Sequence, residues 1–126
     1  EDQRATITNI VIGIASFIHA LLSQVGFTVH AVPITVFMVV LGIYGFVAST
    51  KLYERHQYHT QRARHIRQRL EELYPEANIS QLLREAREEH RQEFPRVEAI
   101  RLNRIWLFLH ILIASLGAIY SVLILL

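Results

Sequence analysis

Seven histidines are the side chains best suited to chemistry in this 126-residue chain, which contains no cysteine. His59 and His90 fall on two charged segments that we expect to face each other, with Glu93 close by. Such a group could bind a metal ion or sense protons near neutral pH. Histidines that pack or face water at the edge of a helical bundle give the same pattern, and we favour that interpretation. The sequence therefore predicts no metal site.

His19 and His110 lie inside uncharged stretches that we expect to cross a membrane. Polar residues at membrane depth are candidates for pore lining or proton handling. Counted along their helices, the two histidines lie roughly 18 Å and 9 Å from the same membrane face, so direct pairing within one chain is not expected. We favour a neutral histidine that bonds to a Ser, a Thr or a backbone carbonyl over a pore-lining or proton-sensing group.

The spacing Arg84-x5-His90 matches the loose R-x(4 to 6)-H pattern of HEPN-type ribonucleases. Arg104-x5-His110 repeats it, although its histidine lies in a predicted span, so the pattern arises readily in this chain. There is no GxSxG, Walker loop, HExxH or paired-carboxylate constellation. We therefore expect no enzyme, no catalytic residue and no cofactor, and a membrane-anchored ribonuclease is the least favoured hypothesis.

Two uncharged stretches of the sequence contain His19 and His110 and must position them. Residues 5–50 and 105–126 contain no Asp, Glu, Lys or Arg. A spanning helix needs about 20 apolar residues, so the first stretch is long enough for two crossings. The break is predicted in residues 23–33, because Gly26 is permissive and Pro33 suits a helix's first turn. Three transmembrane helices follow, at about 7–24, 33–50 and 105–126.

Residues 51–104 hold 12 of the 13 basic and 9 of the 11 acidic residues. Basic residues flank two membrane ends here, whereas the 23–33 connection has none, so the positive-inside rule places this segment and the N-terminus in the cytoplasm. The predicted organisation is a two-span membrane hairpin (1–50), a cytoplasmic charged helical hairpin (51–104) and a third transmembrane helix (105–126).

Helical periodicity supports two cytoplasmic helices. The first has a seam at Leu52, His56, His59, Ala63, Ile66, Leu70 and Leu73, and the second at Ile79, Leu82, Leu83, Ala86, His90, Phe94 and Val97. Pro75 should end the first helix, Asn78 should cap the second with Gln81 as its partner, and Pro95 predicts a kink or break before the third span. The two helices most simply pack as an antiparallel hairpin.

Charge is arranged in blocks along the predicted hairpin. Residues 51–69 carry six basic groups and one acid, whereas residues 71–98 carry eight Glu and four Arg. Lys51 and Arg55 suit lipid headgroups at the membrane surface. Arg62 to Arg69 lie farther out, and we expect them to pair with the carboxylates of residues 85–93.

Small residues recur at helical spacing in two predicted spans: Gly42, Gly45 and Ser49 in the second, and Ala114, Gly117, Ala118 and Ser121 in the third. Small stripes let helix backbones approach closely in lipid. The stripes suit packing of the three spans within one chain. Alternatively, at least one stripe faces another subunit, and the sequence leaves both alternatives open. If the third span is an interface, Gly117→Leu should disrupt assembly.

The run LGIYGFVASTKLYERHQYHTQRARHIRQRLEELYP, residues 41–75, resembles the span-to-cytoplasm junction of small bacterial membrane proteins that assemble as rings. These are the RipA-like octameric proteins and the CRISPR-associated pore-forming accessory, which has fewer spans before its soluble part. The resemblance implies a homo-oligomeric helical assembly in the bacterial inner membrane, and a pore or depolarising effector in phage defence.

We therefore expect an all-α polytopic integral membrane protein that forms or gates a pore as a homo-oligomer. The alternative is a non-conducting scaffold or regulatory subunit whose cytoplasmic hairpin recruits a soluble protein. The expected partners are membrane lipid, further copies of the chain and, in the alternative, that soluble protein. The net charge of only +2 gives little reason to expect nucleic acid.

Overall fold

A computed structural model describes residues 2–95 and 101–126, and every regular element within these ranges is helical. The helices are α1 (Asp2–Val25), α2 (Val32–Leu73), α3 (Ile79–Glu93) and α4 (Leu102–Leu125), with 3-10 turns at Val29–Ala31 and Pro75–Ala77. Three candidate spans, Gln3–Val25, Val29–Leu73 and Leu102–Leu125, are long and apolar enough to cross a membrane. The all-α class is confirmed, and the three apolar helices fit an integral membrane protein.

The connection between α1 and α2 falls inside the predicted break. α1 ends at Val25, and Gly26 follows with φ +78°, a left-handed conformation that glycine adopts without steric cost. The Gly26 N–H donates to the carbonyl of Leu22 at 2.9 Å, which closes the last turn of the helix. Pro33 then occupies the first turn of α2, where its missing N–H has no helical acceptor to lose.

α2 continues without interruption from the second apolar span into the charged segment. The chain has no glycine or proline between Gly45 and Pro75 to end it. Its last residue is Leu73, two positions before Pro75, as predicted. α3 ends at Glu93, and Phe94 is its C-terminal cap. The expected kink after Pro95 and the seam position Val97 involve residues 96–100, which lie outside the described residues.

One compact unit, here called the membrane unit, contains α1, α2 as far as Tyr53, and α4 from Asn103. Its core joins all three helices: Val11, Ala15, Ile18, Leu22, Ala31, Met38, Leu41, Ile113, Tyr120 and Ile124. Large apolar side chains also cover much of its outside, with Phe17 69% and Phe108 66% exposed. Such an apolar exterior suits hydrocarbon, which is as apolar as the core.

The second compact unit, here called the charged unit, contains the rest of α2 from Glu54 together with α3. Its predicted seams are largely exposed: Ile66, Leu73 and Leu82 each show between 57% and 60% of their surface. Asn78 is the N-cap residue of α3, as predicted, but it has φ 46° and its side chain makes no capping hydrogen bond, so the predicted capping box with Gln81 is absent. Gln81 instead donates to Glu85 at 2.8 Å, one turn ahead on the same helix.

Candidate functional site

A buried polar pair joins α1 to α4 inside the membrane unit. Thr8 and His110 are fully buried, and Thr8 Oγ1 lies 3.3 Å from His110 Nε2. Gly45 of α2 leaves the room for the imidazole, since a Cβ there would lie 2.5 Å from His110 Cε1. His110 therefore has a hydroxyl partner in the same chain, and its ring packs against the backbone of Gly45.

Other buried polar groups occur in the membrane unit. Arg4 is only 3% exposed, and its guanidinium lies 5.6 Å from the centre of the Tyr53 ring, a cation–π distance. His110 Nδ1 and the Ser49 hydroxyl are buried without a hydrogen-bond partner within residues 2–95 and 101–126. Sequence reasoning missed Arg4 and Thr8, although Arg4, Thr8 and Val11 follow the helical spacing of a buried face.

Two further polar pairs join the three helices at other positions. Tyr120 Oη lies 2.7 Å from His19 Nδ1, and Thr35 Oγ1 lies 2.7 Å from Ser121 Oγ. His19 and His110 thus have different partners, on different helices. Hydrogen bonds between helices in lipid average about 0.6 kcal/mol, so these pairs align the helices more than they stabilise them.

The small residues predicted for helix packing meet between α2 and α4 of one chain. A Cβ on Gly42 would lie 2.5 Å from the Ala114 backbone nitrogen, and one on Gly117 would lie 2.8 Å from the Val39 nitrogen. Ser49 is buried and Ser121 is half-buried, whereas Ala118 is exposed. Replacing Gly117 by leucine would separate α2 from α4, so that variant does not test subunit assembly specifically.

A different stripe, the α1 stripe, faces outward from the membrane unit. It has alternating spacings of three and four, and all its members are exposed: Thr6, Asn9, Gly13, Ser16, Ala20 and Ser23. Within the described residues, the Asn9 amide and the Ser16 hydroxyl make no hydrogen bond. A Cβ added to Gly13 would meet nothing within 4 Å. Sequence reasoning missed this stripe, although its spacing is visible in the printed sequence.

Asn9 lies well within the candidate span. It is five residues from the middle of Gln3–Val25, or roughly 8 Å along the helix axis, whereas half the hydrocarbon thickness is about 15 Å. An amide that loses its water without gaining a hydrogen bond costs roughly 1–3 kcal/mol. Asn9 therefore needs a partner that one copy of the described chain does not supply.

The charged unit gives its predicted site residues local partners. The Arg62 guanidinium lies 5.7 Å from the centre of the Tyr58 ring, and Arg69 donates to Glu72 at 2.7 Å. Neither arginine bonds to residues 85–93 within the described residues, because each has a partner within one turn of its own helix. Lys51 and Arg55 are exposed.

The two histidines predicted to approach each other have separate ring partners. The His59 ring meets Tyr58 at a centroid distance of 5.8 Å, and the His90 ring meets Phe94 at 5.1 Å. Within residues 2–95 and 101–126, no three His, Asp or Glu side chains are grouped closely enough to hold a metal ion.

Glu71 of α2 caps the first turn of α3. The Ser80 backbone N–H donates to Glu71 Oε1 at 3.0 Å, and the Ser80 hydroxyl donates to Oε2. These two hydrogen bonds hold the pKa of Glu71 below its usual value of 4.5, and the bond from the Ser80 hydroxyl has the larger effect. A carboxylate from the preceding helix therefore satisfies a backbone donor in the first turn of α3, a role that the sequence assigned to the Asn78 side chain.

The Glu71 contact predicts a pH dependence for α3. A carboxyl whose pKa is lowered by folding stabilises the fold fully above its unfolded pKa and loses this effect as pH falls through the folded pKa. Hydrogen-exchange protection of the first turns of α3 should therefore drop below about pH 4.5, beyond the change in intrinsic exchange rate. Glu71→Gln should remove most of this drop and the exposed control Glu72→Gln should keep it. Equal drops in both variants would contradict the cap.

No family model, curated protein or solved structure matches this chain. Its function is therefore inferred from the geometry described above. The resemblance of residues 41–75 to ring-forming membrane proteins stays a prediction.

Proposed function

We propose that the chain self-associates through α1 into a homo-oligomeric membrane assembly that forms or gates a pore. The α1 stripe is the observation that carries this proposal, because it places polar groups and close-approach positions on the outside of a membrane span. The chain itself supplies no hydrogen-bond partner for Asn9 or Ser16 within the described residues.

A second copy would meet the needs of the α1 stripe. Side-chain amides and hydroxyls hydrogen-bond across helices in lipid, and small residues let two backbones approach. Asn9 would find a donor or acceptor on a neighbouring copy, and Gly13, one turn later, would leave room for the approach. The stripe continues through Ser16 and Ala20, so the contact could extend along most of the helix.

In a ring whose α1 helices face inward, the stripe would lie at the inner edge of the contact between neighbouring copies. There Asn9 can bond to the next copy, while the hydroxyls of Ser16 and Ser23 meet the water of the centre, which satisfies polar groups at membrane depth. The outward faces of the other two helices are more apolar over their middles: Val40, Val47 and Phe108 are 55%, 59% and 66% exposed. Each of these faces exposes a single hydroxyl near its middle, from Tyr44 on α2 and from Ser115 on α4. Those faces suit lipid.

The proposed topology places the N-terminus and the charged unit in the cytoplasm, with the bacterial inner membrane as the location. The basic residues between the second and third spans support this orientation. The charged unit would then be a cytoplasmic antiparallel helical hairpin. The two Glu71–Ser80 hydrogen bonds support the hairpin, because they tie the end of α2 to the start of α3.

The alternative, a non-conducting scaffold that recruits a soluble protein, is favoured by one observation. α3 and its C-terminal cap expose apolar side chains, with Leu82 60%, Leu83 42% and Phe94 43% accessible. An exposed apolar face on a helix outside the membrane spans suits a partner helix.

The mass of the purified protein, corrected for bound lipid or detergent, tests the proposal first. We expect five or more subunits, because fewer copies of three spans do not surround a wide centre. Reconstituted vesicles should then release a small trapped ion. A monomer or dimer would contradict the pore and favour the scaffold. A large assembly whose vesicles release no trapped ion over a range of pH and voltage would do the same.

A further inference from the structure

A groove in the charged unit gathers four arginines. Arg64 and Arg67 of α2 and Arg84 and Arg87 of α3 line a space of about 300 Å³. The rest of the lining is Gln68, Glu71, Ile79, Ser80 and Leu83. The groove lies within residues that form one compact unit, and its volume is at the lower end of the range for small-molecule sites.

The arginines of this groove have no carboxylate partner. None of the four makes an ion pair or a hydrogen bond within residues 2–95 and 101–126. Glu71 is the one acid in the lining, and Ser80 occupies both of its oxygens. The lining therefore carries four positive charges and one negative charge, a balance of +3. The basic and acidic blocks of the sequence predict that carboxylates neutralise these arginines. The structure instead brings four arginines together.

We propose that this groove binds a small molecule or a lipid headgroup that carries at least two phosphate groups. Arginine forks match phosphate oxygens in a two-pronged geometry, and arginines from both helices can share one ligand. A single carboxylate or a single phosphate would leave much of the +3 balance unmatched, whereas two phosphates would balance it.

The remaining lining supports a small ligand over nucleic acid. Ile79 and Leu83 give the groove an apolar side on which the unphosphorylated part of a ligand can rest. The groove has no aromatic side chain in its lining, and such side chains provide the stacking surface for single-stranded bases.

Calorimetric titration of the full chain with inorganic pyrophosphate, in nanodiscs of neutral phosphatidylcholine, tests the soluble form of this ligand. Arg67→Gln with Arg87→Gln should weaken binding at least about tenfold, since hydrogen bonds to charged groups contribute roughly 1.5–3 kcal/mol each. The matched control is Arg62→Gln with Arg69→Gln, which removes the same charge outside the groove and should bind as the parent does. Circular dichroism should show equal helix content in both variants.

A second arm tests the lipid form with nanodiscs that contain a bisphosphorylated phosphoinositide. The ligand is a lipid headgroup if these nanodiscs protect α2 and α3 from hydrogen exchange in the parent but not in the Arg67 and Arg87 double variant, while pyrophosphate does not bind in the first arm. Equal weakening in both double variants, or no binding in either arm, would overturn the site. The proposal does not depend on subunit number: a monomer that binds pyrophosphate would keep the site while contradicting the pore.

Discussion

Replacing Gly42 with alanine is expected to destabilise the membrane unit by about 1–3 kcal/mol, the usual cost of overpacking a core. The new Cβ would lie 2.5 Å from the Ala114 nitrogen and 2.8 Å from its Cα. These are backbone atoms of α4, so no rotamer change relieves the clash and the two helices must separate. Gly42→Val should cost still more. Reversible unfolding in mixed detergent micelles, followed by circular dichroism, measures the change.

Gly13→Ala is the matched control for this variant. Gly13 also lies in a span, yet a Cβ there would meet nothing within 4 Å. In the dissociated chain, alanine should therefore leave the membrane unit unchanged or stabilise it by roughly 0.5–1 kcal/mol through its better helix propensity. Equal stability of Gly42→Ala and the parent would show that α2 and α4 do not pack at this position.

Replacing both Asn9 and Gly13 with leucine is expected to break the proposed homo-oligomer while the membrane unit stays folded. The double change removes the unpartnered amide and fills the close-approach position, and leucine is fully compatible with lipid. An interhelical amide contact is worth about 1–2 kcal/mol in model peptides, which corresponds to roughly 5- to 30-fold in each association constant. The mass in the same membrane mimetic and the unfolding midpoint measure the two properties separately.

The control for assembly is Val40→Leu with Val47→Leu. Both valines are exposed on α2, at 55% and 59%, and the double change adds bulk to an outward face away from the α1 stripe. It should leave the mass of the assembly unchanged. If the Asn9 and Gly13 double variant also keeps the parent's mass, α1 is not the interface and the proposal for this stripe is refuted.

Much of the fold was predictable because charge is absent from long stretches of the sequence. Residues 5–50 and 105–126 left few alternatives to apolar helices, and the structure has helices over both. Gly26 and Pro33 located the break, since each residue type has a conformational preference that holds in any environment. Pro75 likewise marked the end of α2.

The faces of the spans were harder to predict. In a soluble helix polarity separates inside from outside, whereas in lipid both faces are apolar. Gly42 and Gly117 could therefore face another helix of the same chain or another subunit, and only the positions of α2 and α4 show that they meet each other. The α1 stripe is mildly polar, and its outward direction became visible only when Thr8, Val11 and Ala15 were seen to be buried.

The charged unit shows a similar limit. The charge blocks of residues 51–69 and 71–98 predict pairing between helices, but side-chain reach favours neighbours on one helix, as for Arg69 and Glu72. The cap of α3 also came from a distant residue. Glu71 lies nine positions before Ser80, and no local capping pattern contains that spacing.

The short connection at Gly26 makes α1 and α2 neighbours in the order of synthesis as well as in the fold. α1 and α2 are separated only by residues 26–31, and residues 5–50 carry no charge, so we expect the two helices to partition together as one helical pair during synthesis. α4 is made later, after the long charged segment. Until it arrives, Thr8 lacks His110 and His19 lacks Tyr120. We therefore expect a chain that lacks α4 to leave both polar groups without these partners, so that docking of α4 completes the polar contacts of the membrane unit.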